Sequence, residues 1–314
     1  MKWVDNFIFF RELMNLFGCP QFPYRLSNLL TLTKPLGIPW HRIAKKGQDS
    51  ASCFDYISFC WDIAARCVSV PHNKRMHAIH KVTTVLTTKT LSMRDVSLII
   101  GMLQHLTFVY WNGRHALASI AQFLSKFPNS FVKHHLPTAA QCDLTWWHQV
   151  LARRDVSRLL IPLPCLYPDI WVDTLSSWGI GLIIKSQWAA WRLIEGWDSE
   201  DRDIGWTECV ALELAVSWLA AENFHDAEVI IHSDNSGVVG TFWKGRSWNS
   251  SCNDSISHIA ILLSQSNLSL SPIFVPSAQN CADPVSQGCL RSQSSCISTF
   301  IELPHALSSF LQHV

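Results

Sequence analysis

Residues 169–194 read "DIWVDTLSSWGIGLIIKSQWAAWRLI". Three apolar runs, 169–175, 178–185 and 188–194, are rich in Trp, Ile, Val and Leu and are parted by short polar turns. That is the pattern of consecutive β-strands. Asp173 stands behind a Trp-Val pair at the end of the first strand, where a carboxylate is either a metal ligand or a polar strand terminus.

Downstream, "TECVALELAVSWLAAE" (207–222) reads as the main helix. "AEVIIHS" (227–233) and "LSLSPIFVP" (268–276) read as further strands, with helical segments between them. The order β, β, β, α, β, α, α, β over residues 168–290 describes an α/β domain with a mixed five-stranded sheet. In the main helix Glu208 shares a face with Ala211, Leu212, Ala215 and Leu219, the face that packs on a sheet. Glu213 points roughly 140° away and is the poorer candidate for the same site.

Two more carboxylates follow strands: Asp234 in "HSDNSGVV" and Asp283 in "NCADPVSQG". Each carboxylate has a plain structural alternative. Asp234 can cap the next helix, and Glu208 sits favourably near a helix N-terminus. Geometry favours a shared site. If the first and fourth strands are parallel neighbours, Asp173 and Asp234 emerge side by side at their carboxyl ends, where open α/β sheets bind ligands. Carboxylates gathered there repel unless a cation neutralises them, and oxygen-only ligands suit Mg²⁺ or Mn²⁺.

The 314 residues are 48% hydrophobic and 16% charged, a globular composition. The net charge of +1 conceals an asymmetry. Residues 1–170 carry 19 Lys and Arg against 9 Asp and Glu, and residues 171–283 carry 5 against 14. A basic module for a polyanion beside an acidic, cation-collecting one fits this split, as do two solvated surfaces that attract each other. Eleven cysteines lie scattered without a Cys-x-x-Cys pair; Cys53, Cys60 and Cys67 recur every seven residues but lack the partners of a zinc site. Asp5, Arg11 and Glu12 interrupt the first apolar stretch, so no secretory leader is expected. The longest apolar run, 96–111, contains Gln104 and His105 and is too short for a membrane span. An intracellular location, cytoplasmic or nuclear, with no membrane partner, is the expectation.

The first half divides differently. Residues 1–71 read as short β segments, at 4–10, 54–63 and 66–71. A basic helical segment at 73–87 carries Lys74, Arg75 and Lys81. These are either phosphate contacts or a solvated helix face. Ser92 and Asp95 form a capping box, followed by Val96, Ile99, Leu103, Leu106 and Tyr110 at amphipathic helical spacing. "WNGRH" (111–115) reads as a turn, 115–126 as a helix, 128–145 as part of a linker and 143–154 as a short helix.

Four stretches of the second half, taken in order, resemble ribonuclease H of the kind attached to retrotransposon reverse transcriptases. They are "WVDTLSSWGIGLII", "IGWTECVALELAV", "AEVIIHSDNSGVVG" and "NCADPVSQG". Glu208, Ala211 and Ala215 reproduce the family's Glu-x-x-Ala-x-x-x-Ala spacing, and Asn280, Asp283, Pro284 and Ser286 resemble its closing motif. The resemblance implies hydrolysis of the RNA strand of RNA-DNA hybrids by two Mg²⁺ ions, with Mn²⁺ as a substitute. Asp173, Glu208, Asp234 and Asp283 would hold the ions, and Asn235 and Asn280 would contact nucleic acid with Lys74, Arg75 and Lys81. "VPSAQN" stands where many relatives carry a loop histidine.

"KWVDNFIFFR", "FDYISFCWDIAARCVSVPHNKR" and "SMRDVSLIIGMLQHLTFVYWNGR" resemble the polymerase aspartate motif, the primer grip and the thumb of reverse transcriptases, most closely those of DIRS-type elements. This implies a partial palm over 1–71, a helical thumb over 72–127, a connection over 128–167, the ribonuclease H-like domain over 168–290 and a tail over 291–314. Asn6 replaces the second aspartate beside Asp5, and the fingers are not in this chain, so no polymerase activity is expected. Other retroelement proteins are expected partners. The competing expectation is an inert remnant or a nucleic-acid-binding module, which Asn6 and Ser58, in place of a primer-grip glycine, favour.

Overall fold

The computed structural model describes residues 14–16, 19–21, 25–37, 40, 51–153, 156–199, 201–290, 292 and 295–314. Asp5, Asn6 and the strand read at 4–10 lie outside the described residues. Two short antiparallel strands, β1 (Met14–Leu16) and β2 (Cys19–Gln21), precede helix α1 (Leu26–Thr33).

The apolar segment at 54–63 is not one strand but a hairpin, β3 (Cys53–Tyr56) and β4 (Phe59–Asp62). Ile57 and Ser58 form its two-residue turn with φ of 49° and 67°. A positive φ at both central positions suits the strand twist, although it is strained for β-branched Ile57. Strand β5 (Cys67–Ser69) extends the sheet and leads into α2 (His72–Thr87).

Next come β6 (Leu91–Ser92), α3 (Met93–Leu106), α4 (Ala118–Ser125), β7 (Lys133–His134), α5 (Thr138–Ala152) and β8 (Ser157–Leu159). The Ser92–Asp95 capping box opens α3, whose Val96, Ile99, Leu103 and Leu106 are buried as their spacing predicts. Two expectations change. "WNGRH" lies in a 3-10 helix, Trp111–Leu117, rather than a simple turn. Residues 138–145 belong to α5, whose Ala140, Leu144, Trp147 and Leu151 are buried in the helical core. The prolines at 128 and 137 suggested a linker, yet Pro137 is the cap of α5, a position that needs no N–H donor.

Phe59, Val68 and Val70 from the small sheet join that same core, and β8 pairs with β5 from beyond α5. Residues 51–70 therefore share their packing with the helices that follow. Arg75, expected among the phosphate contacts, is buried here. Its guanidinium donates to the carbonyls of Leu151 (3.2 Å) and Arg153 (2.8 Å), satisfying the end of α5. Lys74 and Lys81 are exposed.

The second half is a mixed α/β unit. Strands β9 (Cys165–Leu175), β10 (Gly179–Ile184) and β11 (Gln187–Leu193) form an antiparallel meander. Helix α6 (Ile204–Ala221) follows, then β12 (Glu228–Ser233), α7 (Ser236–Lys244), α8 (Ser250–Gln265) and β13 (Ser269–Phe274). A short helix α9 (Asp283–Ser286) and strand β14 (Leu311–His313) complete it. The sheet order is β13-β12-β9-β10-β11-β14, with β12 parallel to both β9 and β13. It has six strands rather than five because the C-terminal segment adds β14 beside β11.

Helix α6 packs on Ile170, Val172 and the other residues of that face, backed by α8. It is also the one helix among the described residues long and apolar enough to cross a membrane, and its burial between sheet and α8 explains that character. The opposite face of the sheet, with Ile183, Trp188 and Ala190, packs against Ala282 and Val285 around α9.

Candidate metal centre

Strand alternation places Asp173 and Thr174 on opposite faces of β9. Thr174 turns toward α6, where its hydroxyl donates to Glu208 Oε1 at 2.9 Å, and the Thr207 hydroxyl donates to Thr174 at 3.2 Å. Asp173 turns toward α9. The Ser286 hydroxyl donates to its Oδ2, and the Asn280 amide donates to its Oδ1 at 3.2 Å and to Val172 O at 3.0 Å. Gly181, the partner of Asp173 across the ladder, makes this approach possible. A Cβ there would stand 2.6 Å from Ser286 N and 2.9 Å from Ala282 O.

Asp234 follows β12, the parallel neighbour of β9. One carboxylate oxygen each from Asp173, Glu208 and Asp234 lies within 4.8 Å of the others. Asp283, Asn235, Ser236 and Ser277 join them in lining an open cavity of about 350 Å³. Asp283 is half-buried, accepts from Gln287 Nε2 at 2.8 Å, and stands outside the tight three-carboxylate group.

Burial pushes the Asp173 carboxyl up to about 7, Ser286 opposes the shift, and the charges of Asp234 and Asp283 add to it. Burial likewise pushes Glu208 up to about 8, opposed by the Thr174 hydroxyl and the nearby Asn235 side chain and reinforced by Asp173 and Asp234. Glu208 is 4% exposed, and its Oε2 has no hydrogen-bond partner. A buried carboxylate oxygen without a donor is costly. Here it belongs to a cluster of like charges, the arrangement a cation relieves. The donor set is all oxygen, which fits a hard divalent ion.

Two expected contacts take different roles. Asn280 is buried and spends its amide on Val172 and Asp173, so it positions a carboxylate instead of reaching nucleic acid. Asn235 caps α7 by accepting from Val238 N at 3.1 Å while still lining the cavity. Asp234 is thus not the cap of α7. Glu213 lies apart from the cluster, paired with His258 Nδ1 at 2.9 Å between α6 and α8. Thr174 carries no sequence signal of a site role, and Ser286 carries only its spacing in the family-like closing motif. Neither a protein-family model nor a curated protein matches the chain.

Proposed function

We propose that the α/β unit is a ribonuclease H-type nuclease that hydrolyses the RNA strand of RNA-DNA hybrids with Mg²⁺ or Mn²⁺. The observation that carries this reading is the convergence of Asp173, Glu208 and Asp234, with Glu208 Oε2 buried and unpartnered. An antiparallel three-strand meander followed by a helix and a parallel strand on the far side of β9 supports the fold assignment.

Asp173, Glu208 and Asp234 would hold the ions, with Asp283 at the rim of the same cavity. Divalent ions bound there would supply an activated water and charge stabilisation for the leaving 3′-oxygen. The protein's own part is positioning. Ser286 and Asn280 fix the Asp173 carboxylate from one face of the sheet, and Thr174 fixes Glu208 from the other. Exposed Lys74 and Lys81 suit sequence-blind phosphate contacts. We propose no polymerase activity, because Asn6 offers a neutral ligand beside Asp5.

One observation favours the second reading, an inert remnant or binding module. Ser58 holds φ 67°, a conformation that glycine adopts freely and serine does not, as expected where a primer-grip glycine has been replaced. Incubating the chain with a labelled RNA-DNA hybrid and Mg²⁺ decides between them. Strand-specific RNA cleavage, absent with EDTA and with duplex DNA, supports the nuclease; no cleavage with either Mg²⁺ or Mn²⁺ favours the remnant.

A further inference from the structure

A second cavity, of about 630 Å³, opens where the helical half meets the α/β half. Gln104, Thr107, Arg114 and Leu117 line it from one side, and Thr241, Lys244 and the 246–249 loop from the other. Its charged lining is entirely cationic: Arg114, Lys244 and Arg246. None of the three has a carboxylate partner among the described residues. Asp201 approaches the loop through Asn249 and Ser250 but does not line the cavity.

The cavity is held by specific contacts. Arg114 donates to Trp243 O at 3.2 Å, Gln122 to Trp248 O at 2.6 Å, and Asn253 to His115 O at 3.3 Å. Gly245, at φ 70°, leaves room for the Arg114 side chain, since a Cβ there would stand 3.0 Å from Arg114 Cβ and Cδ. Trp248 is 64% exposed, with the Arg246 guanidinium 5.8 Å from its ring centroid.

Cations without carboxylate partners, neutral hydrogen-bonding groups and an exposed Trp ring are the chemistry that holds single-stranded nucleic acid: phosphates on the cations, a base on the ring. We propose that this interdomain cavity binds a short single-stranded segment of nucleic acid, with Arg114 of the helical half completing a phosphate site begun by Lys244 and Arg246. The volume lies in the range of about 300–1,000 Å³ typical of ligand sites. Helix α7 connects the two sites. It is capped by Asn235 at the carboxylate cavity and ends at Lys244, about 13 Å further on by helical rise. The proposal does not depend on the cleavage reading, because it concerns binding without metal.

The test is fluorescence anisotropy of the full chain with a labelled eight-residue oligothymidine in EDTA and low salt. Wild type should bind, and Trp248→Ala should weaken binding about five- to hundredfold through the lost stacking. Arg246→Gln should weaken binding and lower the salt dependence by about 0.7 in log-log slope, the value for one phosphate contact. Neither side chain makes a hydrogen bond across the interface, and an unchanged melting temperature verifies the fold. Arg114→Gln should also weaken binding. No binding by wild type, equal binding by Trp248→Ala and Arg246→Gln, or full competition by equimolar adenosine monophosphate would overturn the proposal. The last result would mark a mononucleotide site instead. Absent hybrid cleavage with oligothymidine binding intact would count against the nuclease reading alone.

Discussion

The Thr174 hydroxyl donates to Glu208 Oε1 at 2.9 Å and leaves Oε2 without a partner. A β9 side chain therefore helps set the rotamer of an α6 carboxylate that belongs to the three-carboxylate group. Thr174→Val removes the donor while keeping the shape. It should cost about 1–2 kcal/mol of stability in urea titration, typical of a buried hydrogen bond. Hybrid cleavage should drop about tenfold. Thr174→Ser should recover both.

The raised carboxyls predict how stability varies with pH. Asp173 and Glu208 sit at about 7 and about 8 in the folded chain, above their ordinary values of 3.8 and 4.5. Between about pH 5 and 7 the unfolded chain has released both protons while the folded chain still holds them, and the folded chain gives up Asp173 near 7 and Glu208 near 8, so their contribution makes the fold less stable as pH rises. The destabilisation is complete once both carboxyls are ionised, above about pH 8 without metal. In EDTA, the melting temperature of Asp173→Asn relative to wild type should be higher at pH 8.5 than at pH 5. Mg²⁺ should stabilise wild type more at pH 8.5 than at pH 5, and Asp173→Asn less at both.

Gly181 should not tolerate a side chain. Its missing Cβ makes space for Ser286 N and Ala282 O, which bring α9 onto β10. Gly181→Ala should push α9 away, loosen the Ser286 bond to Asp173 and shift Asp283. Overpacking of this kind costs about 1–3 kcal/mol. Cleavage should fall well beyond what the loss of folded protein accounts for, measured at a temperature where circular dichroism shows both proteins folded.

Arg75, Lys74 and Lys81 should separate into two kinds. Arg75→Ala removes the donors to Leu151 O and Arg153 O and should cost about 2–3 kcal/mol in chemical denaturation. Lys74→Gln and Lys81→Gln should leave stability unchanged and reduce the salt dependence of hybrid binding. Equal stability losses in all three would contradict this division.

Glu208 was legible because the 3.6-residue period puts it on the face of α6 that packs on the sheet. Asp173 and Asp234 were legible as strand-end carboxylates, but their convergence rested on a parallel pairing that the sequence does not fix, and Asp283, expected with them, stands outside the tight group. Polar partners carried less signal, since hydroxyls at 174 and 286 look the same whether they cap a turn or hold a carboxylate. Arg75 shows the converse. A basic residue on a basic helix reads as solvated, yet the end of α5 arrives from 76 residues away to claim it. β14 was also illegible, because three residues added at a sheet edge leave no periodic trace. Glu213 points away from the cluster as its spacing requires, but its burial against His258 depends on where α8 crosses α6.

The proposed metal site of Asp173, Glu208 and Asp234 is tested by the Mg²⁺-dependent cleavage rate of a labelled hybrid by wild type and Asp173→Asn, with Glu213→Gln as the control. Asp173→Asn removes one negative charge from the ion site and keeps the shape of the side chain. Cleavage should fall at least about a hundredfold, with hybrid binding retained through backbone and 2′-hydroxyl contacts. Glu213→Gln should stay within a few-fold of wild type. Cleavage by Asp173→Asn at the wild-type rate would contradict the site assignment.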